Sequence, residues 1–200
     1  MKVNKANQLV GMLRRTFVYL DKNTFEQLFV SIVRPHLEYG APIWNPHSKK
    51  LITLVDNVQK RATRLLPGME NLSYKERLKS LDLPTLQYRR YRGDMIEVYK
   101  LTHELYDERI TQGLLSYRSA DSYNLRGHNY VIRGEKCKKD LKKFSFKNRI
   151  INQWNNLPAK LVNASTLNMF KNGLDKIWKH EDVMYNIDID LFDKTIKQTR

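Results

Sequence analysis

The chain has 200 residues and a hydrophobic content of 41%, which suits one folded domain or two small subdomains and argues against overall disorder. Its 36 Lys and Arg against 21 Asp and Glu leave a net charge of +15, which favours a polyanionic partner over a neutral small molecule. Nucleic acid is the first such partner and an anionic membrane surface the second.

Cysteine content and hydropathy exclude several further classes of protein. The single cysteine, Cys137, excludes an intrachain disulfide and a structural zinc site made of several thiolates. No apolar run approaches the roughly 18 residues of a membrane span, and arginines interrupt residues 1–15 before a cleavable signal is complete. We therefore expect an intracellular protein, in the nucleus or the cytoplasm, with no membrane partner.

The N-terminal part of the sequence predicts a helical hairpin. Apolar residues recur at helical spacing over residues 5–20, a break follows at residues 21–23, and a second helical run covers residues 24–37. Two prolines and a glycine then predict a turn over residues 39–46, in which Trp44 offers an apolar anchor. The apolar positions of the first run are Leu9, Met12, Leu13, Phe17 and Leu20.

The strongest helical pattern covers residues 48–66. Its apolar positions fall within one arc of roughly 100° and predict a buried stripe of Leu51, Leu54, Val55, Val58, Ala62 and Leu65. The opposite side and one flank carry the cations Lys49, Lys50, Lys60, Arg61 and Arg64, with Asp56 as the one acid of that face. This pattern predicts a basic ridge that follows a phosphate backbone, and the alternative interpretation is an ordinary solvated face.

Two more helices are predicted after this ridge. Ser73 and Glu76 have the spacing of a capping box, which begins a short helix ending near Leu81. A long helix is then predicted over residues 85–106. Its apolar face carries Tyr88, Tyr91, Met95, Val98, Tyr99 and Leu105, and its polar face carries Arg89, Arg90, Glu97 and Lys100. We interpret the tyrosines as core and groove-lining residues rather than base-stacking platforms.

The C-terminal half is less regular. Residues 107–125 resemble a loop, and residues 122–133 predict a short hairpin or an extended segment. A lysine-dense stretch at residues 135–143 suits backbone contact or nuclear targeting, and it leads into a helix with Phe146, Ile150 and Trp154 on one side. The last amphipathic helix carries Leu167, Phe170, Leu174, Ile177 and Trp178.

These elements predict a mainly α fold in four parts. A helical region covers residues 1–106, a loop and short extended segment cover 107–134, a basic helical region covers 135–179, and a mobile tail covers 180–200. The net charge is concentrated in two blocks, residues 49–92 and 126–149, each with a net charge of +7. Two separate contact regions are therefore expected rather than a uniformly charged surface.

The familiar patterns of catalytic sites are missing from the sequence. A polymerase or nuclease that uses two metal ions needs clustered carboxylates, and the nearest approach is Asp188 with Asp190 in the predicted tail. The glycines form no phosphate-binding loop, and the five histidines have no metal-ligand spacing. Cys137 has no identifiable histidine partner. We expect no catalytic residue and no metal site in this chain.

Several segments together carry a family resemblance. Residues 33–46 (VRPHLEYGAPIWNP) and 58–65 (VQKRATRL) begin it, and residues 72–78, 83–90 and 92–95 continue it. Later matching positions are Phe146, Arg149, residues 154–158 (WNNLP), Phe170 and Lys171. These motifs cover about residues 3–178 and resemble the reverse transcriptase of non-LTR retrotransposons, the jockey-like group in particular.

The resemblance implies a place for this chain in such an enzyme. In that family these stretches form the helical thumb and the region downstream of it, while the Tyr-x-Asp-Asp metal site lies upstream in the palm. The chain, beginning at Met1 past that point, is therefore expected to be a fragment of an RNA-directed DNA polymerase without its active site. It would hold no cofactor itself, since Mg²⁺ is expected only in the absent palm.

The resemblance also implies the contact residues. Thumb helices grip the template–primer duplex through its backbone, which needs basic helix faces more than base-reading side chains. The residues expected to contact the duplex are Lys49, Lys50, Lys60, Arg61, Arg64, Arg89 and Arg90. A second expected patch consists of Lys136, Lys138, Lys139, Lys142 and Lys143. The expected partners are RNA, DNA, an RNA–DNA duplex and a separate catalytic region of a reverse transcriptase, with no small-molecule ligand.

Two other hypotheses stay open at this point. The first is a protein–protein interaction module or domesticated remnant, whose aromatic surface the missing palm would otherwise shield. Its aromatic side chains would be the tyrosines together with Trp44, Trp154 and Trp178. The second is a chain that retains the polymerase activity of the family, which a primer-extension assay would reveal.

Overall fold

The computed structural model describes residues 2–118, 128–179 and 184–187. These residues are mainly helical, as predicted, and within them one antiparallel bridge pairs Tyr117 with Ile132. The first α-helices are α1 Lys2–Thr16, α2 Lys22–Leu28, α3 Arg34–Glu38, α4 Ala41–Trp44, α5 Lys49–Ala62, α6 Tyr74–Leu81 and α7 Leu86–Thr102. They are followed by α8 Glu108–Thr111, α9 Asp140–Lys143, α10 Phe146–Arg149, α11 Ile151–Asn155, α12 Ala159–Val162 and α13 Leu167–Trp178.

The chain divides into two compact units. Unit 1 consists of Met1–Arg90 with Asp182–Lys194, and unit 2 consists of Tyr91–Glu181 with Thr195–Arg200. The division therefore falls inside α7, after Arg90, whereas the sequence predicts that the first helical region ends at residue 106. Among the described helices, none has the length and apolar character that crossing a membrane requires.

The predicted N-terminal hairpin is confirmed in unit 1. α1 buries Ala6, Val10 and Leu13, while Met12, which the periodicity assigned to the core, is 41% exposed. The break at residues 21–23 is the start of α2, because the Asp21 side chain accepts hydrogen bonds from the backbone N–H groups of Asn23 and Thr24. A π-helical turn, Phe29–Val33, joins α2 to α3. It lies directly before Arg34-Pro35, where the proline nitrogen has no hydrogen to donate.

The buried face of α5 differs from the predicted stripe. Val55, Val58 and Ala62 are buried as predicted, but Leu51 and Leu54 are 46% and 48% exposed. Asp56 and Gln59 occupy the buried side instead. They do so because they bind backbone groups at the start of α7. Asp56 Oδ1 accepts a hydrogen bond from Leu86 N (3.0 Å), and Gln59 Nε2 donates one to Pro84 O (2.9 Å).

The capping box and the tyrosine core are confirmed. Ser73 N donates to Glu76 Oε2 (2.7 Å), and Glu76 N donates to Ser73 Oγ (3.3 Å), so α6 begins where the sequence predicts and ends at Leu81. α7 buries Tyr88, Tyr91, Met95, Val98 and Tyr99. It ends at Thr102, so Leu105 lies outside the helix and is 53% exposed, which corrects its assignment to the apolar face.

In unit 2 the lysine-dense stretch itself contains the short helix α9, and the single helix predicted after it is two short helices, α10 and α11. Trp154 is fully buried beside Phe170 of α13, with ring centroids 6.0 Å apart. Its Nε1 donates to Tyr130 O (2.8 Å), and the side chain of Asn155 both donates to and accepts from the backbone of Ile132 (2.9 Å each). α11 therefore anchors the extended segment that the sequence predicts.

Parts of two predictions fall outside the described residues. The predicted segment 122–133 is described only from His128 onward, where Arg118 N donates to Val131 O (3.0 Å). Of the predicted mobile tail, only residues 184–187 are described, and they belong to unit 1. Met184 O accepts a hydrogen bond from Thr85 N (2.9 Å), and Tyr185 Oη donates to Asp82 Oδ1 (3.0 Å). These hydrogen bonds join Met184 and Tyr185 to the segment between α6 and α7, and the mobility of the tail stays a prediction.

Candidate nucleic-acid interface

One exposed side of α5 and of the 3₁₀ turn that follows it, Thr63–Leu65, carries a basic ridge, which we define as Lys49, Lys50, Lys60, Arg61 and Arg64. At about 100° per residue, these five positions span an arc of roughly 120°, on the side opposite the buried Val55. Lys60 is half-buried and the other four are exposed. From Lys49 to Arg64 the ridge extends about 22 Å, the length of roughly six phosphate steps along one strand.

Asp56 does not dilute this charge as the sequence suggested. It is 1% exposed, on the buried side of α5, and burial raises the pKa of its carboxyl while nearby Arg90 opposes that rise. In the described parts of the chain no carboxylate forms an ion pair with a ridge cation. Arg61 has a neutral partner, since its NH1 donates to Asn7 Oδ1 (3.3 Å).

The C-terminal half of the ridge lines a cleft between α1 and α5, which we call the basic cleft. Its volume is about 730 Å³. The cations in its wall are Arg14, Lys60, Arg61 and Arg64. The apolar residues in its wall are Leu13, Phe17, Val18, Leu20, Leu65 and Pro67, and Asn57 completes it. Among the described residues, the cleft is thus lined by four cations and by no carboxylate.

Arg14 is the one cation of the cleft that the sequence did not predict as a contact residue. It is exposed and belongs to the last turn of α1, where it is followed by Arg15. The adjacent arginines at the end of a helix are the sequence signal that could have indicated it. Its place beside Arg64 arises from the packing of α1 on α5, which helical periodicity within α1 does not reveal.

The charge of Arg64 acts on one neighbouring side chain, that of Arg77. Arg77 is 1% exposed and donates from Nε to Thr63 Oγ1 (3.0 Å). Burial is the main cause that lowers the pKa of Arg77, and the charge of Arg64 is the second. An anion bound near Arg64 would relieve this repulsion.

Two predicted contact residues on α7 are engaged inside unit 1. Arg90 is 2% exposed, its Nε donates to Asn45 Oδ1 (3.0 Å), and its NH2 lies 3.8 Å from Asp56 Oδ2. Its burial corrects the prediction that it contacts a duplex. Arg89 is half-buried and forms a two-point ion pair with Glu38, with NH2 at 3.0 Å from Oε2. The charge of Arg89 is therefore largely offset within the fold.

The second predicted patch, which belongs to unit 2, is exposed throughout. Lys136, Lys138, Lys139, Lys142 and Lys143 are all exposed. The patch contains its own counter-ion, because Glu135 lies 2.8 Å from the ammonium groups of both Lys142 and Lys147. Hydrogen bonds from Lys142 and then Lys147 lower the pKa of Glu135 to about 2. The α5 ridge has no such counter-ion among the described residues.

The tryptophans form less exposed surface than the interaction-module hypothesis assumed. Trp154 and Trp178 are 0% and 6% exposed, so they belong to the core of unit 2. Trp44 is half-buried, and its Nε1 donates to Tyr39 O (2.7 Å).

Within the described ranges, His, Cys, Asp and Glu side chains form no group of three or more that could hold a metal ion. The absence of catalytic activity in this chain stays a prediction.

Comparisons with known proteins give limited similarity. No protein-family model matches the chain, and no solved structure matches it. The chain is similar to the uncharacterized protein B0403.1 of Caenorhabditis elegans, with 27% identity over 105 residues. The aligned stretch is 51% of each protein, so the chain spans about half the length of the curated relative that it matches.

Proposed function

We propose that this chain binds nucleic acid through the α5 ridge and the basic cleft, as the thumb-region fragment of a non-LTR retrotransposon reverse transcriptase. The observation that carries the binding proposal is the set of four cations, Arg14, Lys60, Arg61 and Arg64, in one cleft that no described carboxylate lines. The family part of the proposal is supported by the motifs of residues 33–46 and 58–65.

The chemistry of these side chains suits contact with phosphates rather than reading of bases. Lysine and arginine neutralise phosphates and release condensed counterions, which gives affinity without sequence preference. Arginine adds planar donors that match two phosphate oxygens at once. The proposed ligand is therefore an RNA–DNA, RNA or DNA duplex held by its backbone, with no metal ion or other cofactor in this chain.

The exposed lysines of unit 2 are proposed as a second, weaker contact. Five of them, from Lys136 to Lys143, lie close together in sequence and are open to solvent. Glu135 competes with phosphate for Lys142 and Lys147, and this internal competition is the reason to expect weaker binding there. A separate catalytic region of a reverse transcriptase is the proposed protein partner.

Salt dependence of duplex binding tests the proposal. Fluorescence anisotropy of a labelled RNA–DNA duplex should show that the logarithm of the affinity falls linearly with the logarithm of the salt concentration between about 50 and 200 mM. Lys60→Gln and Arg64→Gln should each reduce the magnitude of the slope of log affinity against log salt concentration by about 1. Lys79→Gln is the matched control, because Lys79 is exposed on α6 and does not line the cleft.

The outcomes separate the hypotheses. Binding that does not change with salt, or a Lys79→Gln slope that changes as much as the Arg64→Gln slope, would contradict the proposed interface. Primer extension with the purified chain and Mg²⁺ should incorporate no nucleotide. Incorporation would show that a polymerase site is present and would overturn the non-enzymatic part of the proposal.

A further inference from the structure

The basic cleft combines two kinds of surface that a duplex backbone does not need together. Its cations suit phosphates, but Leu13, Phe17 and Leu65 give the same cavity an apolar part. Leu13 is 1% exposed and so forms a fixed floor, whereas Phe17 and Leu65 are half-buried and keep part of their surface open. Apolar surface of this kind is stabilised when a flat apolar group covers it.

The volume of the cleft matches a small organic group. At about 730 Å³ it lies within the range of about 300–1,000 Å³ that is typical of ligand pockets. Duplex bases are stacked and paired inside the helix, so a duplex presents mainly phosphates and sugars outside its grooves. An unpaired nucleotide presents a charged phosphate and the face of a base together.

We propose that the basic cleft holds unpaired nucleotides at the end of a duplex, an inference that rests on the proposed nucleic-acid binding. The base would lie against Phe17 and Leu65, and the phosphates would contact Arg14, Lys60 or Arg64. This arrangement uses both surfaces of the cleft, whereas a blunt duplex uses only the cations.

The segment after α1 adds further exposed apolar side chains beside the cleft. Val18, which lines the cleft, and Tyr19 are 103% and 80% exposed. Both side chains are therefore open to contact with a ligand held in the cleft. A tyrosine next to the cleft wall offers a face on which a second unpaired base stacks.

Three RNA–DNA probes of the same duplex length test this inference on the unmodified protein. The first is blunt, the second carries three unpaired nucleotides, and the third carries three abasic residues with the same phosphates. Each extension is tested at a 3′ end and at a 5′ end. The unpaired nucleotides should bind about tenfold more tightly than the abasic extension at one end, because only they supply bases for stacking.

Variants then localise the effect. Phe17→Leu keeps an apolar side chain but removes the ring, so it should weaken binding of the unpaired nucleotides more than binding of the abasic extension. Arg64→Gln should weaken all three probes. Ile43→Ala is the control, because Ile43 is 91% exposed and does not line the cleft.

The results distinguish this inference from the proposed function. Equal binding of the nucleotide and abasic extensions would overturn the inference while salt-dependent duplex binding stands. Displacement of the extended probe by a free nucleoside monophosphate at the same concentration would also overturn it, since the cleft would then be a mononucleotide site. Failure of every probe to bind would overturn the proposed function itself.

Discussion

Arg149 and Asp94 form a two-point ion pair inside unit 2, with Nε and NH2 at 2.8 and 2.9 Å from the two carboxylate oxygens. Their side chains are 4% and 1% exposed. Water therefore solvates neither charge, and the two charges stabilise each other. Arg92 and Asp175 form a similar two-point pair in the same unit, but the Asp175 side chain is 46% exposed.

The contrast between these two pairs predicts different effects of the same substitution. Asp94→Asn leaves Arg149 buried with no carboxylate at this position, so the free energy of unfolding should fall by about 3–5 kcal/mol. Asp175→Asn should lower it by less than about 1 kcal/mol, because solvent screens the exposed pair. Urea denaturation of the two variants measures both free energies of unfolding. Similar losses of stability would contradict the claim that burial makes the Arg149–Asp94 pair more important.

The ion pair of Arg89 with Glu38 predicts a small role for Arg89 in binding. Arg89→Gln should change the affinity for a duplex by less than about twofold, since its charge is already offset. Arg64→Gln should lower the affinity by about three- to tenfold at low salt, because in the described chain Arg64 pairs with no carboxylate. Anisotropy titrations compare the two variants. Equal losses would place Arg89 back among the contact residues.

Removal of Glu135 should strengthen nucleic-acid binding. Glu135→Gln takes away the counter-ion of Lys142 and Lys147, so both ammonium groups become available to phosphates. The affinity for a duplex should rise about two- to fivefold at low salt. Glu108→Gln, at an exposed position of α8 in the same unit, controls for net charge. The same gain in both variants would mean that net charge alone is responsible.

The ionisation of Glu135 also predicts a pH dependence. Its pKa is lowered from 4.5 to about 2, so the folded state binds this proton more weakly than the unfolded state does. The stabilisation is thus fully present above pH 4.5 and is lost as the pH falls towards about 2. An NMR titration of the Glu135 carboxyl should show this midpoint, and Lys142→Gln with Lys147→Gln should raise it.

Glu76 is the internal control for that titration. Hydrogen bonds with Ser73 lower the pKa of Glu76, and Glu76 belongs to unit 1. The lysine substitutions should therefore leave its midpoint unchanged. A Glu135 midpoint that stays low without the two lysines would show that they are not the cause of the lowered pKa.

Features that depend on neighbours along the chain were predictable from the sequence. The Ser73–Glu76 capping box forms because both partners lie within one helical turn, and Tyr91, Met95 and Val98 are buried because they repeat at helical spacing. Four of the five cations of the α5 ridge are exposed for the same reason, and Lys60 is half-buried. Periodicity was insufficient where a polar side chain has a buried partner, so Asp56 was assigned to the wrong face of α5.

Composition and periodicity by themselves determined that this chain is mainly helical, strongly basic and carries a row of cations along α5. The tertiary structure decided which of those cations remain available. It buried Arg90 beside Asp56, paired Arg89 with Glu38, and brought Arg14 to the cleft with Arg64. Ion pairing and cleft formation depend on distances between residues far apart in sequence, and those distances exist only once the helices have packed.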